Sequence, residues 1–597
     1  MFWVVQVVSM PPIKKLLPSS QAFWLGVWFL LALIIRLLFL ASKPIWMDEI
    51  ATIIFTLGNS SFLAPLDRVM SLNDLLAPLQ PSPEATVGSV IKYLIEEDNH
   101  PPAYFALAHP WMDLFPPERG IASPWAVRAL PALLGALTAP ALYLAARIGF
   151  RSNLAGQIAA AFMAVSPFGV AMAQEARHYS FATLMVCLCL GCFVAGAWTL
   201  RPTTTKPISP AFMLLWIGVN ALAFATHYFA ILTLLAEALV LLGLAGYQAR
   251  FQPGRLWQPH WRRVYWVMLG TAAACLAWLP VLLNFYGSDQ SSGLAIDFSQ
   301  PIQWINPIAQ MLAGLIFMVI TPITNAQGLV GWIGIGLSAM FLLPLLLWTL
   351  PLLWKGRRLL GQSDSGRFGL LLVGGFVVAA IGLFFAVSYG AGLDITRGHR
   401  YNFVFFPGSI ALLGGLLSVY WPDTDGTGEQ SASIPVMKRR ISGRRSVSII
   451  WGASFLSAIF VITNLALPKY YNPKRFVQTI QAESSYPVLI GAPTGIETDK
   501  PSVIAIELLS VGWEIKRHFD PIREDSGWET PPQFFIWALP EAPTTPPEEA
   551  LAAILQEMPR PYDLWFLNVE HDLSGYGCSK MERAIRGGHN YTHYQCQ

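Results

Sequence analysis

The sequence predicts a multi-span α-helical membrane protein, about eleven transmembrane helices with a long first outer loop, followed by a small C-terminal α/β soluble domain. Three observations predict it. Of 597 residues, 54% are hydrophobic and 13% charged, with a mean hydropathy of +0.47, whereas a soluble globular chain carries about 25% charged residues. The apolar residues gather in runs near the roughly 20 that a helix needs to cross a bilayer core. Finally, 17 of the 36 acidic residues lie between Lys469 and Gln597, against 11 Lys and Arg, in a segment without a long apolar run. These figures exclude an ordinary cytosolic enzyme, a disordered chain, a collagen and a disulfide-rich secreted scaffold. A net charge of +3 is near neutral and carries no sign of nucleic acid, which is not an expected partner.

Spans are expected at 22–41, 125–147, 153–173, 179–199, 211–226, 228–247, 264–286, 328–353, 368–390, 402–421 and 447–467. The first, with Lys14 and Lys15 ahead of it, is longer than the roughly 7–15 apolar residues of a signal peptide, so it reads as an uncleaved anchor. Placing the N-terminus in the cytoplasm puts 19 Lys and Arg in the inner connections, from Lys14 to Arg445. Only seven then lie outside before the tail: Lys43, Arg68, Lys92, Arg119, Arg177, Arg397 and Arg400. Cations concentrate on the cytoplasmic side, so this orientation is expected, in a cell inner (plasma) membrane. Counting 307–322 as a span would place Lys355, Arg357 and Arg358 outside, so it reads as a re-entrant or interfacial helix. The tail then lies on the periplasmic or extracellular side.

The resulting division is a membrane domain, 1–468, and a soluble domain, 469–597. Ten acidic residues lie in the outer loop 42–124, which is too long to be a simple connection. Its stretches Val87–Glu97 and Ala103–Phe115 have the pattern of helices lying along the membrane surface. The tail alternates helix-like runs (Pro473–Ser484, Pro547–Glu557) with strand-like ones (Val488–Ile490, Phe534–Ala538, Asp563–Val569), the mark of an α/β domain. Residues 422–446 read as a linker. Cys187, Cys189, Cys192 and Cys275 sit in apolar runs as small hydrophobes, and Cys578 and Cys596 would pair in an oxidising compartment. No cysteine spacing suggests zinc.

Chemistry-bearing residues collect on the outer face. Trp46-Met47-Asp48-Glu49 follows the first span. Adjacent carboxylates at a membrane surface are costly unless one acts as a base and the other orients it or a cation; a solvated helix start favoured by the helix dipole is the simpler alternative. Asp98-Asn99-His100-Pro101-Pro102, with Tyr104 one turn on, suits a helix start that attracts an anion, or a capped helix bearing a surface histidine. Gln174-Glu175-Ala176-Arg177-His178-Tyr179 sits between two spans, either as a binding cluster or as a polar cap. Thr226-His227-Tyr228 and Asp394–Tyr401 fall on the same side, and Arg397 and Arg400 share a face if their stretch is helical. Arg36 and Arg128 are expected to snorkel to the interface. Glu237, mid-span, needs a partner or a proton. Asn590-Tyr591-Thr592 matches a glycosylation sequon. Carboxylates, histidines and arginines around apolar walls suit a lipid-borne phosphate donor.

These segments resemble a known family. WMDE after the first span, NHPPAYFALAHPW in the first loop, QEARHYSFATLM and THYFAIL are similar to the membrane glycosyltransferases of the GT-C fold. Within them the resemblance is to the bacterial protein-mannosyltransferase-like glycosyltransferase family 39, related to lipid A aminoarabinose transferase. It covers roughly residues 20–470, with a looser match at YYNPKRF in the tail. The motif set is specific to the superfamily and poorly specific to any substrate.

The resemblance implies a polyprenyl-phosphate sugar as donor, used on the non-cytoplasmic side with inversion. It makes Asp48 the base with Glu49 beside it, and maps the Glu-Ala-Arg segment onto Glu175 and Arg177. His100 matches the basic residue before Pro-Pro. Aminoarabinose transferases show Glu-Lys where this chain has Asn99-His100, which argues against a lipid A substrate and against a metal ligand at position 99. Donor phosphate binding is accordingly expected at His100, Arg177, Arg397 and Arg400, and acceptor positioning at Tyr104, His178, His227 and Tyr228. A divalent metal (Mg, Mn or Zn) would be held by Glu49, Glu175 and His178. The acceptor is a protein, lipid or glycan of the cell envelope. A transporter or flippase for a lipid-linked sugar is the first rival, disfavoured because only Glu237 is mid-span and no repeat is seen. An assembly protein of the same fold without catalysis is the second.

Overall fold

The computed structural model describes residues 19–98, 100–284, 294–325, 328–421, 434–436, 439–469, 471–494, 505–522, 526–538 and 547–597. Lys14, Lys15, Asn99, Lys438 and most of the expected linker 422–446 lie outside the described residues. The chain is a multi-span helical protein. Seven helices are long and apolar enough to cross a membrane: Ser20–Leu37, Pro124–Phe150, Tyr179–Thr199, Ala230–Phe251, Gly331–Leu360, Asp364–Gly390 and Gly443–Ile462. Asn153–Val165 and Pro167–Ala173 make an eighth if the pair, bent by 54°, is one span.

The count of eleven is therefore not reached among the described residues, although every expected run is helical. Proline accounts for the difference, because it removes an N–H and pushes the residue before it out of the helical region. Pro167 divides 153–173, and the run at 264–286 separates into Pro259–Leu276 and Leu279–Asn284 beside Pro280. Pro407 opens the short helix Phe406–Ser418, and Pro210–Thr226 is likewise apolar but short. The segment expected at 307–322 forms the helix Pro301–Phe317.

The break at Ser166-Pro167 leaves backbone carbonyls without helical donors, and side chains supply them. Arg36 donates to Ala164 O (2.8 Å), Met163 O (3.1 Å) and Ala32 O (3.1 Å). Trp451 Nε1 donates to Ala161 O at 3.0 Å, and the Ser166 hydroxyl accepts from Gly169 N while donating to Met318 O. Arg36 is 0% exposed, so it does not snorkel as expected: it solvates a helix break from within, which keeps such a break tolerable inside a membrane domain. Gln174 in turn donates to Arg36 O and Leu38 O, closing the end of the first helix.

The chain divides into two compact units. Among the described residues, one comprises those up to Phe39, Pro131–Asn284 and those from 294 to Pro468; the other comprises those in Leu40–Leu130 and Lys469–Gln597. The sequence division grouped 42–124 with the membrane segments, whereas here the first loop shares a unit with the tail. The tail is an α/β domain around a five-stranded sheet in the order Gln533–Trp537, Val488–Pro493, Tyr562–Leu567, His589–Cys596, Cys578–Arg586. The first three strands are parallel and nearly continuously apolar, as strands covered on both faces must be; the last two are antiparallel. Helices Pro473–Glu483 and Pro547–Glu557 lie where expected. Helix Ile506–His518 and the final hairpin, closed by a Cys578–Cys596 disulfide, were not foreseen as elements. The sequon lies in a paired strand, with Tyr591 and Thr592 buried.

The loop completes this domain. Met70 and Phe534 exchange backbone hydrogen bonds (2.8 and 3.0 Å), and Asp67 N donates to Ile536 O (2.9 Å). An edge strand exposes unpaired backbone groups, and here loop residues pair with that edge.

In the tail helix Ile506–His518, Glu514 Oε1 and His518 Nε2 approach to 3.6 Å. Burial pushes the Glu514 carboxyl up to about 7, with Arg517, Lys474 and Arg128 opposing. Burial, then Arg517, Lys474 and Arg119, push His518 down to about 4. Between those values both groups are neutral, so the approach is not an ion pair.

Two predictions follow from these contacts. Arg36→Met strands the Met163 and Ala164 carbonyls and should cost about 2–4 kcal/mol, read as a lowered unfolding midpoint in detergent. The second concerns Glu514, whose folded pKa lies above the ordinary 4.5: the folded state binds more protons between these values, so stability falls as pH rises through them. Glu514→Gln should remove that fall, matching the parent near pH 4 and exceeding it at pH 8 by on the order of 3 kcal/mol, as measured by chemical denaturation of the full chain at both pH values.

Candidate functional site

Each unit holds its own cluster of the residues singled out above. In the loop-and-tail unit, Asp48 and Glu49 occupy the first turn of helix Met47–Thr56, entered through the extended Trp46. The helix dipole favours acids there, but the two carboxylates have different surroundings. Glu49 is 0% exposed and lies against an equally buried Arg128, with Nε to Oε1 and Nη2 to Oε2 both at 2.7 Å. Arg128 spends its remaining N–H groups on the carbonyls of Leu40 (3.0 Å), Lys43 (2.9 Å) and Pro44 (3.1 Å). All five guanidinium donors thus have acceptors, the condition under which a buried ion pair is tolerated. Asp48 is only half-buried, and its backbone oxygen accepts from the Thr52 hydroxyl at 2.9 Å.

Arg128 therefore does not snorkel. Its role was not read from the sequence, though an arginine at a span start beside a Glu-bearing loop is a signal: buried arginines are paired. His109 is a second missed residue. It is buried in helix Ala103–Met112, and its Nδ1 donates to Thr56 O at 2.9 Å, closing the far end of the Asp48 helix. His100 is half-buried, and its Nδ1 donates to Asp98 Oδ1 at 2.9 Å, which fixes the ring. Tyr104 is buried in the first turn of the following helix and packs edge-on against Phe105.

In the membrane unit, Glu175, Arg177 and His178 are all buried where helix Pro167–Ala173 gives way to Tyr179–Thr199. The His178 and His227 rings are 4.9 Å apart, and His227 lies 4.8 Å from Phe403 and 6.1 Å from Tyr401. His227 Nδ1 accepts from Phe229 N (3.1 Å), which sets its tautomer. Tyr179 is the shared platform: the Arg177 guanidinium lies 5.7 Å and that of Arg400 5.8 Å from its ring centre. Two guanidinium groups within 6 Å of one aromatic ring centre, beside two imidazoles, are suited to an oxyanion.

Three expectations change. Residues 394–398 are not helical, and the 3-10 turn begins only at His399. Arg397 pairs with the buried Asp394 (3.4 Å) instead of joining Arg400 on Tyr179. Tyr228 packs against Phe224 and Trp278. The metal set Glu49, Glu175 and His178 does not form: among the described residues no group of three His, Cys, Asp or Glu could hold an ion. Both Glu49 oxygens are already engaged by Arg128, so no step is routed through a metal.

Arg128→Met should cost about 3–5 kcal/mol by leaving Glu49 buried without its counter-charge. Adding Glu49→Leu should return a large part of that loss. A double-mutant cycle on unfolding midpoints measures the coupling.

No family model matches the sequence, and no curated protein matches it. The chain is similar to the crystal structure of ArnT from Cupriavidus metallidurans in the apo state, at 12% identity over 96% of this chain and 98% of that one, with a TM-score of 0.48. It is similar to the same protein bound to undecaprenyl phosphate, at 12% identity over the same shares, with a TM-score of 0.46. It is also similar to the Archaeoglobus fulgidus oligosaccharyltransferase in complex with Zn and sulfate, at 14% identity over 77% of this chain and 55% of that one, with a TM-score of 0.40.

Proposed function

We propose that this chain is an inverting membrane glycosyltransferase that moves a sugar from a polyprenyl-phosphate donor to an acceptor hydroxyl on the non-cytoplasmic face of the inner membrane. The observation that carries the reading is the division of labour within one carboxylate pair. Glu49 is neutralised and locked by Arg128, while Asp48, its neighbour on the same helical turn, is left half-buried at the helix start. A general base needs this combination: a fixed backbone and a carboxylate that substrate can reach. The motif resemblance supports the same reading.

In this mechanism Asp48 accepts the proton of the acceptor hydroxyl as its oxygen attacks the anomeric carbon. The bond from that carbon to the phosphate oxygen breaks, and its electron pair leaves with polyprenyl phosphate. The departing charge is the part of the transition state that most needs stabilisation. Arg177 and Arg400, both beside the Tyr179 ring, are proposed to bind it, with His100 and Arg397 assisting. Glu175, His178, His227, Tyr104 and Tyr228 are proposed to orient donor or acceptor. Glu49 acts through Arg128 on the position of Asp48. The sugar and the acceptor class, whether protein, lipid or glycan, follow from the assay below.

The test is release of free polyprenyl phosphate from a panel of polyprenyl-phosphate sugars, with a membrane extract as acceptor source, followed by mass spectrometry. Asp48→Asn keeps shape and removes basicity, and should lower release by about a hundredfold or more. Equal release from parent and variant would overturn the role of Asp48. Binding or translocation of the lipid without cleavage would favour a transporter.

A further inference from the structure

We infer that Arg517, on the tail helix Ile506–His518, is a positioning residue for the Asp48–Glu49 carboxylates, acting through the backbone of residues 40–44. The inference rests on the reading of Asp48 as the base, and it assigns the C-terminal tail a part in the same site.

The segment between the first helix and Trp46 has no regular secondary structure, so its carbonyls need partners from elsewhere. Four of the five carbonyls of residues 40–44 receive an arginine N–H. Arg128 serves Leu40, Lys43 and Pro44, and Arg517 Nη2 donates to Ala41 O at 2.7 Å. One arginine thus comes from the start of the next span and the other from a residue more than 450 positions along the chain. The clamped stretch leads directly into the helix, where Glu49 N donates to Trp46 O at 2.9 Å. A shift at Ala41 is therefore carried to Asp48 over seven residues, with little slack between.

Arg517 can clamp only if its own helix is held, and the helix is held at three places. At its start, Glu507 bonds buried His589 (2.6 Å) and Asn568. At its middle, Gly512 allows close approach to Leu75, where an added Cβ would come within 2.8 Å of the side chain. At its end, Arg119 Nη1 donates to the carbonyls of Lys516 (3.0 Å) and Arg517, and Lys516 Nζ donates to Asn73 Oδ1 at 3.2 Å. A cation at a helix C-terminus also suits the helix dipole. These ties do not involve the Arg517 side chain, so its removal leaves the tail fold in place.

The test uses the full chain in lipid. Arg517→Met keeps the aliphatic stem and loses the donors; Arg517→Lys restores one. Arg517→Met should raise amide exchange across 41–49 while strand Tyr562–Leu567 keeps its protection, and should lower kcat for polyprenyl phosphate release about tenfold with KM for the donor unchanged. Arg517→Lys should recover most of both. Lys516→Met, which cuts the tie to Asn73 but not the clamp, should leave exchange at 41–49 at the parental level. Unchanged exchange at 41–49 in Arg517→Met overturns the inference, as does an equal rise in Tyr562–Leu567, which would make Arg517 a structural anchor only. If the parent itself cleaves no donor, the proposed function fails separately, and the exchange measurement still decides the clamp.

Discussion

The buried Glu49–Arg128 pair is the constraint around which the loop-and-tail unit is arranged. Neither charge can exist alone at zero exposure, because desolvation of a lone ion costs more than any local packing returns. Together they are acceptable only while every remaining guanidinium hydrogen finds an oxygen, and three of those oxygens are backbone carbonyls of residues 40–44. The requirement therefore shapes the polypeptide path as much as it neutralises a charge. The route from the first helix to the Asp48 helix is set by where Arg128 needs acceptors. Asp48 takes its position beside a neighbour whose carboxylate is fully engaged by Arg128.

Much of the fold was legible from composition and periodicity. The apolar runs, the acidic tail and its α/β alternation all have direct counterparts, since burial in lipid or in a sheet leaves a strong pattern along the chain. The count of eleven full spans is not reached among the described residues, because hydropathy does not register where a proline such as Pro280 or Pro407 interrupts or shortens a helix. Arg36 and Arg128 were misplaced at the interface for a related reason. Near a span end, an arginine reaching water and one donating to inward carbonyls have the same sequence, and only tertiary acceptors distinguish them. The hairpin Cys578–Cys596 escaped notice because its first strand is exposed and charged and its second, though mostly buried, is built of polar and aromatic residues with little apolar alternation.

The candidate site was legible as a set of segments and not as an assignment of roles. Asp48 and Glu49 are equivalent in spacing, and the structure separates them by burial. Arg397 and Arg400 are equivalent in type, and differ because one meets Asp394 and the other the face of Tyr179. Tyr179 itself lay inside a segment already singled out, but an aromatic residue opening an apolar helix is too common to stand out. Its place as a shared platform depends on Arg400 joining the neighbouring Arg177 from a distant part of the chain, which is information that no single segment contains.

The pairing of the first loop with the tail sheet also sets a schedule. The Val69 amide bonds the carboxylate of Glu557, 488 residues later. A ribosome adding about 5–20 residues per second needs roughly 25–100 s to cover that distance. Throughout that interval Leu72, Leu75 and Leu76 lack the tail helix at Gly512 that they pack against, and Met70 has no strand edge to join. The newborn chain therefore passes through a prolonged stage in which its carboxylate helix lacks the packing that the tail helix supplies. A chain truncated before the tail would leave that apolar surface exposed.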